Sequence, residues 1–237
     1  MIAGLQKMTL LDFPGKVACT VFLQGCNFRC PFCHNSDLLP HAGEEFMTEA
    51  AFLKFLESRK GLLDGVAITG GEPTCQPGLP ALISKIKALG YAVKLDTNGT
   101  NPKMLRQLVE KDLVDYVAVD VKNSPEKYAE TVGLPKLNLD SIAESLAFLI
   151  SSETDYEFRT TLVEQFHTEK DIEEIGKWLT SLVPGKKPKK LFLQSFVDRD
   201  SVVFSGLSAP SAEQIAAFAK ILTPYVETVA VRGVEIQ

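Results

Sequence analysis

Residues 66–90 read Val66-Ala67-Ile68-Thr69-Gly70-Gly71-Glu72-Pro73-Thr74-Cys75, then Gln76-Pro77-Gly78, then Leu79-Pro80-Ala81-Leu82-Ile83-Ser84-Lys85-Ile86-Lys87-Ala88-Leu89-Gly90. A short apolar run stops at two glycines, and the chain resumes with Leu79, Leu82, Ile83, Ile86 and Leu89 at helical spacing. Gly90 stands where a C-terminal cap belongs. This is one strand–turn–helix unit, and the same alternation recurs to either side of it.

Working outward, apolar and β-branched runs predict strands at 17–24, 66–69, 92–96, 116–121, 156–163 and 191–196, with a further short run at 228–231. Their near-continuous hydrophobicity is the habit of parallel strands buried on both faces. Between them, Asn101-Pro102 supplies an N-cap and a first-turn proline ahead of Met104, Leu105, Leu108 and Val109. Thr168 with Asp171, and Ser211 with Gln214, read as capping boxes, and helices near 48–59 and 140–151 complete the set. Six βα units with right-handed crossovers fit an open doubly wound sheet or a (β/α) barrel. The polar strand ends described below favour a barrel, which six units leave incomplete. The expected fold is therefore α/β, an incomplete (β/α)6 TIM-like barrel. No repeat or low-complexity segment divides it, so 1–237 reads as one domain.

The 237 residues are 45% hydrophobic and 23% charged, an ordinary globular balance. A net charge of −5 argues against a nucleic-acid partner, whose phosphates a protein must neutralise. The basic stretch Lys186, Lys187, Lys189 and Lys190 is broken by Pro188 and lacks interleaved aromatics, so it reads as a solvated loop. No run approaches the roughly 20 apolar residues a membrane span requires. Residues 1–12 lack the basic and apolar regions of a signal peptide. Five cysteines is an odd number, and three crowd into eight positions. That pattern suits a metal site in a reducing, cytoplasmic setting better than a disulfide framework.

Those three are Cys26, Cys30 and Cys33, in Gly25-Cys26-Asn27-Phe28-Arg29-Cys30-Pro31-Phe32-Cys33-His34-Asn35, directly after the first predicted parallel strand. Three thiolates in one loop can cap three corners of an iron–sulfur cubane, leaving the fourth iron open. Cys19 lies in the preceding strand and Cys75 is remote in sequence, so neither is an easy fourth ligand. The competing reading is a Cys₃His zinc site completed by His34 or His41, although no second knuckle is present. Cys19 reads as a small core residue, Cys75 as packing in preference to lining the cavity, and His167 as part of a helix entry.

Three more polar clusters end successive strands, where (β/α) barrels keep their active sites. They are Gly70-Gly71-Glu72-Pro73, Asp96-Thr97-Asn98-Gly99 and Asp120-Val121-Lys122. Two glycines permit close backbone approach, and a carboxylate beside them can accept hydrogen bonds from an ammonium group. Strand alternation puts Asp120 and Lys122 on one side. Taken singly, each of these has a plainer reading: a glycine turn, an Asn-Gly turn, a structural ion pair. Arg159 on the fifth predicted strand can reach a carboxylate or pair with a helix acid.

The Cys-x₃-Cys-x₂-Cys spacing, with an aromatic residue before the last cysteine, resembles the radical S-adenosylmethionine (SAM) superfamily. The resemblance implies a radical SAM core domain over 1–237. It implies a [4Fe–4S] cluster on Cys26, Cys30 and Cys33, with SAM chelated at the open iron. It implies Phe32 against the adenine and Gly70, Gly71, Glu72 and Pro73 at the SAM amino group. His34, Asp96, Thr97, Asn98, Asp120, Lys122 and Arg159 would border the rest of SAM, and by similarity to some glycyl-radical-enzyme activases a monovalent cation can lie near Asp96 and Asp120. No catalytic residue beyond cluster and SAM is implied. Asp12-Phe13-Pro14-Gly15-Lys16, Gln24-Gly25-Cys26-Asn27, Gly61-Leu62-Leu63-Asp64-Gly65, Lys94-Leu95-Asp96-Thr97-Asn98-Gly99 and Tyr156-Glu157-Phe158-Arg159-Thr160-Thr161 are similar to anaerobic ribonucleoside-triphosphate reductase activating proteins. By that resemblance the chain is an oxidoreductase that cleaves SAM reductively to raise a glycyl radical on anaerobic ribonucleotide reductase, fed by a donor such as flavodoxin. Alternatives are a pyruvate formate-lyase-type activase, whose SAM-binding histidine is here replaced within Gln194-Ser195-Phe196, or an enzyme acting on a small deazapurine precursor.

Overall fold

A computed structural model describes residues 2–39 and 46–233. In chain order they form β1 (Ile2–Thr9), β2 (Ala18–Leu23), α1 (Glu49–Glu57), β3 (Gly65–Gly70), α2 (Leu79–Ala88), β4 (Ala92–Thr97), α3 (Pro102–Glu110) and β5 (Tyr116–Asp120). There follow α4 (Tyr128–Thr131), α5 (Leu139–Ser151), β6 (Asp155–Leu162), α6 (Glu169–Ser181), β7 (Lys190–Ser195), α7 (Ala212–Leu222) and β8 (Thr228–Arg232). The eight strands stand in one sheet in their order along the chain, β1 and β8 at its ends, so the sheet is unclosed. The expected α/β alternation is present.

The departure lies at the start. β1 runs antiparallel to β2, with register shifts on either side of Gly4–Gln6, and no strand was predicted there. Its middle, Gln6 to Met8, is exposed, so the stretch lacks the apolar continuity that marks a buried strand. Edge position relaxes that demand.

The chain gathers into two compact units. The first holds the described parts of Met1–Asn27, Asp37–Thr97 and Asn101–Ala118. Here β2 pairs with β3 and β3 with β4, all parallel. Thr48 caps α1 by accepting from Ala51 N–H at 3.2 Å, and the helix buries Phe52 and Leu56. In α2 Leu79, Leu82, Ile83 and Ile86 of the predicted stripe are buried, Leu89 is the half-buried C-cap, and Gly90 follows at φ 92°. The Asn101 cap on Met104 N–H is also present, at 3.2 Å. Such caps contribute about 1 kcal/mol each. Cys19 is fully buried, and burial pushes its thiol up to about 12.

The second unit holds Phe28–Ser36, Asn98–Thr100 and the described part of Val119–Gln237. β6 pairs with β7 and β7 with β8, in parallel. Both capping boxes form, at Thr168/Asp171 and Ser211/Gln214. β8 is tied across β7 to β6 by a bidentate pair, Arg232 to Glu157, with both N–O distances 3.0 Å. The Arg232 guanidinium also lies 3.5 Å from the Phe192 ring centroid. No helix among the described residues is long and apolar enough to cross a membrane.

Candidate functional site

The first unit builds its polar end from the turn after β3. Gly70 has φ 116°, and a Cβ on it would lie 2.4 Å from Leu23 N and O. A Cβ on Gly71 would lie 2.1 Å from Gly25 O. The glycines therefore let backbone meet backbone, where sequence reasoning had them admit a ligand. The close approach is sealed by Gly71 N–H to Leu23 O and Glu72 N–H to Gly25 O, both 2.8 Å. It fastens the Glu72 turn to the residues that lead into Cys26.

Glu72 is only 1% exposed. Its Oε1 accepts from Thr74 N–H at 3.0 Å, Thr74 Oγ1 at 2.5 Å and Thr97 Oγ1 at 2.6 Å. A buried carboxyl group with that many donors is fixed in one orientation. Thr97 thus orients Glu72 directly. Asp96, one residue earlier, pairs with Lys94, whose ammonium is 2.5 Å from Asp96 Oδ1. In the sequence Lys94 stands only as the first residue of the matched stretch 94–99, with no role of its own. The one local hint is that Lys94 and Asp96 stand two residues apart in a strand, hence on one face. Gln24 likewise stands in the matched stretch 24–27 without a role of its own, and its Oε1 is buried with no hydrogen-bond partner among the described residues. Cys75 is exposed, which overturns its reading as packing, because it sits on the short turn Pro73–Cys75 and not within a strand.

The second unit carries Cys30, Cys33, Phe32, His34, Asn98, Asp120, Lys122 and Arg159. Cys33 N–H donates to Cys30 O at 3.1 Å, a tight turn closing the cysteine loop. Phe32 is buried in a cluster with Val163 and Phe196, against Phe166. His34 stacks on Phe196 with ring centroids 5.5 Å apart, and its Nε2 meets Val197 O at 2.7 Å. Ser36 Oγ donates to Ser201 O, and Ser201 Oγ returns to His34 O at 2.7 Å. His34 is therefore a brace between the cysteine loop and the segment after β7, and burial lowers its pKa. The alternative ligand His41 lies outside the described residues.

Asp120 ends β5 with its carboxylate held by Arg159 Nε on one oxygen and Lys122 Nζ on the other, both at 3.0 Å. Arg159 thus pairs with a strand-end acid. Burial pushes the Asp120 carboxyl up, but Arg159 and then Lys122 outweigh it and hold it at about 2. Burial likewise opposes the Lys122 charge, and Asp120 and then Cys30 more than offset it, so the ammonium is held above the usual lysine range. Tyr128 OH donates to Asp120 O at 3.2 Å, and His167 Nε2 meets Lys122 O at 2.9 Å. His167 is a structural support, as its place before α6 implied. Asn98 closes a turn, its Oδ1 accepting from Thr100 N–H at 3.1 Å and Thr100 Oγ1 at 2.7 Å.

The donor set fits an iron–sulfur cluster and SAM. The five cysteines form no disulfide among the described residues, and Cys26, Cys30 and Cys33 are half-buried. Burial pushes the Cys30 thiol up to about 11, with Lys122 acting against it, so ligation must displace a proton beside a fixed cation. No three His, Cys, Asp or Glu side chains among the described residues are gathered to hold a single metal ion. A cubane asks for a wider arrangement, since each cysteine ligates its own iron. The unpartnered Gln24 acceptor and the preorganised Glu72 carboxylate suit a ligand bearing ammonium or amide donors.

Comparisons agree with this chemistry. A protein of Methanocaldococcus jannaschii named as a glycyl-radical enzyme activating enzyme is 31% identical over 99% of this chain and 96% of its own length. The pyruvate formate-lyase-activating enzyme of Clostridium pasteurianum is 31% identical over 61% of this chain, which spans 62% of that protein. In fold, the chain is similar to a solved domain of the pyruvate-formate lyase-activating enzyme of Bacteroides vulgatus. The TM-score is 0.58 at 21% identity, over 71% of this chain and 99% of that one. Residues 20–179 match the Radical SAM superfamily description, and with more than half of its length so matched the chain belongs to the radical SAM superfamily.

Proposed function

We propose that this enzyme is a glycyl-radical enzyme activase built on one radical SAM core. Membership in the superfamily implies a [4Fe–4S] cluster and SAM. Cys26, Cys30 and Cys33 are the residues to hold the cluster. One observation carries the activase reading: the likeness to the M. jannaschii protein runs over 99% of this chain, so it is not confined to a shared core.

When bound, the cluster and SAM supply one-electron cleavage chemistry that ends with a hydrogen atom removed from a glycine of a partner protein. The chain's own residues bind and orient. Glu72, already held by Thr74 and Thr97, would accept hydrogen bonds from the SAM ammonium without reorganising. In the second unit, Lys122 and Arg159 hold Asp120 in one orientation, and the Phe32 cluster is an apolar surface that would exclude water from a ligand against it. His34 holds the cysteine loop to the segment after β7.

For the partner, we propose anaerobic ribonucleotide reductase, supported by the residue matches at 12–16, 24–27, 61–65, 94–99 and 156–161, with a donor such as reduced flavodoxin. The test is anaerobic incubation of the reconstituted protein with SAM, reductant and the reductase. The expected result is a glycine-centred radical by electron paramagnetic resonance. SAM cleavage without that signal refutes the reductase, and the same outcome with a pyruvate formate-lyase refutes the activase reading.

A further inference from the structure

Lys94 is a buried charge in the middle of a strand. Pairing of Thr20 with Ala67 and of Ala67 with Lys94 sets these three side by side across β2, β3 and β4. Asp96, two residues further along, projects on the same face. The opposite face is apolar: Cys19, Val66, Ile68, Val93 and Leu95 are all fully buried. The Lys94 side chain is 2% exposed and that of Asp96 15%, with 2.5 Å between ammonium and carboxylate. An ammonium withdrawn from water this far persists only when a counter-charge meets it. On this face Asp96 is that counter-charge.

The relation also runs the other way. The resemblance that places SAM beside Asp96 extends, in some activases, to a monovalent cation near Asp96 and Asp120. In this chain an ammonium already stands in contact with that carboxylate, and a metal ion added to it would face like charge at close range. A cation beside Asp96 therefore does not fit. We infer that Lys94 is the built-in counter-cation of Asp96, a positioning residue that lets this enzyme bind SAM without a monovalent metal ion. The inference rests on the reading that Asp96 borders SAM.

The experiment is anaerobic calorimetric titration of the cluster-loaded protein with SAM in potassium, sodium and choline chloride at equal ionic strength, with thermal melts in the same salts. Choline is too large to replace a bound metal ion. The wild-type affinity is expected to be the same in all three. Lys94→Ala, which vacates room beside Asp96, is expected to bind SAM about tenfold more weakly in choline than in potassium, the loss of one charge-assisted contact. Lys94→Arg restores indifference to the salt. A wild-type affinity that falls in choline overturns the inference while leaving the SAM site intact. Lys94→Ala weakened equally in every salt also overturns it, since that marks a merely structural lysine. Absence of SAM binding in every salt removes the underlying reading and this inference together. The wild-type series decides the matter even where Lys94→Ala does not fold.

Discussion

In the first unit, the strands begin in one kind of chemistry and end in another. Ala18, Gly65, Ala92 and Tyr116 open β2, β3, β4 and β5, and the Phe13 ring packs against that end. A Cβ on Gly65 would stand 2.9 Å from the ring, so glycine there makes room for it. At the other end, β3 runs into Gly70-Gly71-Glu72 and β4 finishes on Asp96 and Thr97. At the strand starts the Phe13 ring is held by packing, which is nondirectional and needs volume, beside Asp64 and Asp115, whose carboxylates accept from Val17 N–H at 2.9 Å and Val93 N–H at 2.6 Å. The polar end is held by hydrogen bonds to a carboxylate, which are directional and need particular atoms. One end asks mainly for volume, and the other for particular atoms in fixed places.

The largest effect should come from breaking the packing at the strand starts. Phe13→Ala removes a buried ring and leaves a cavity, at a cost of about 3–5 kcal/mol. Denaturant titration should show the midpoint fall, while SAM affinity per folded molecule stays near wild type. Glu72→Gln should invert that result. It keeps an acceptor for the Thr97 and Thr74 hydroxyls but removes the charge, so SAM affinity should drop about tenfold while stability falls less than in Phe13→Ala. If Glu72→Gln unfolds the protein and binds SAM normally, the contrast between the two ends is wrong.

The smallest effect concerns a carboxylate that holds fold alone. Asp171, in α6 of the second unit, accepts from Thr168 N–H at 2.9 Å, Thr168 Oγ1 at 2.6 Å and Lys127 Nζ at 2.9 Å. Burial raises its pKa, but Thr168 and then Lys127 outweigh this and lower it. A carboxyl depressed in the folded state contributes its full stability above the unfolded pKa of about 3.9 and loses it as pH falls below. Asp171→Asn should therefore cost about 1 kcal/mol at neutral pH, by analogy with other caps, and progressively less below about pH 4. A gap that widens on acidification would contradict the assignment.

Legibility in the sequence followed the range of the interaction. The α2 stripe, the Asn101 cap and the two capping boxes span a few residues each, and each appears as read. β1 escaped because an edge strand is excused from continuous burial. Lys94 escaped because a single lysine carries no periodic signal, and its partner is identified only once the strand's alternation becomes a physical face. Phe13 stands in the 12–16 stretch, but nothing local says that its ring meets the starts of strands as far apart as Ala18 and Tyr116.

The sequence by itself determined the repeating strand–helix grammar, the cysteine spacing and the polar residues that end the strands, because all of these are patterns within a turn or two of chain. Only tertiary structure decided what those residues do with one another. It made Gly70 and Gly71 a backbone seam against residues 23–25, turned Arg159 toward Asp120, made His34 a brace, and set an ammonium against Asp96. The reason is that burial and charge pairing depend on neighbours brought from distant points of the chain, and periodicity alone says nothing of which neighbours those are.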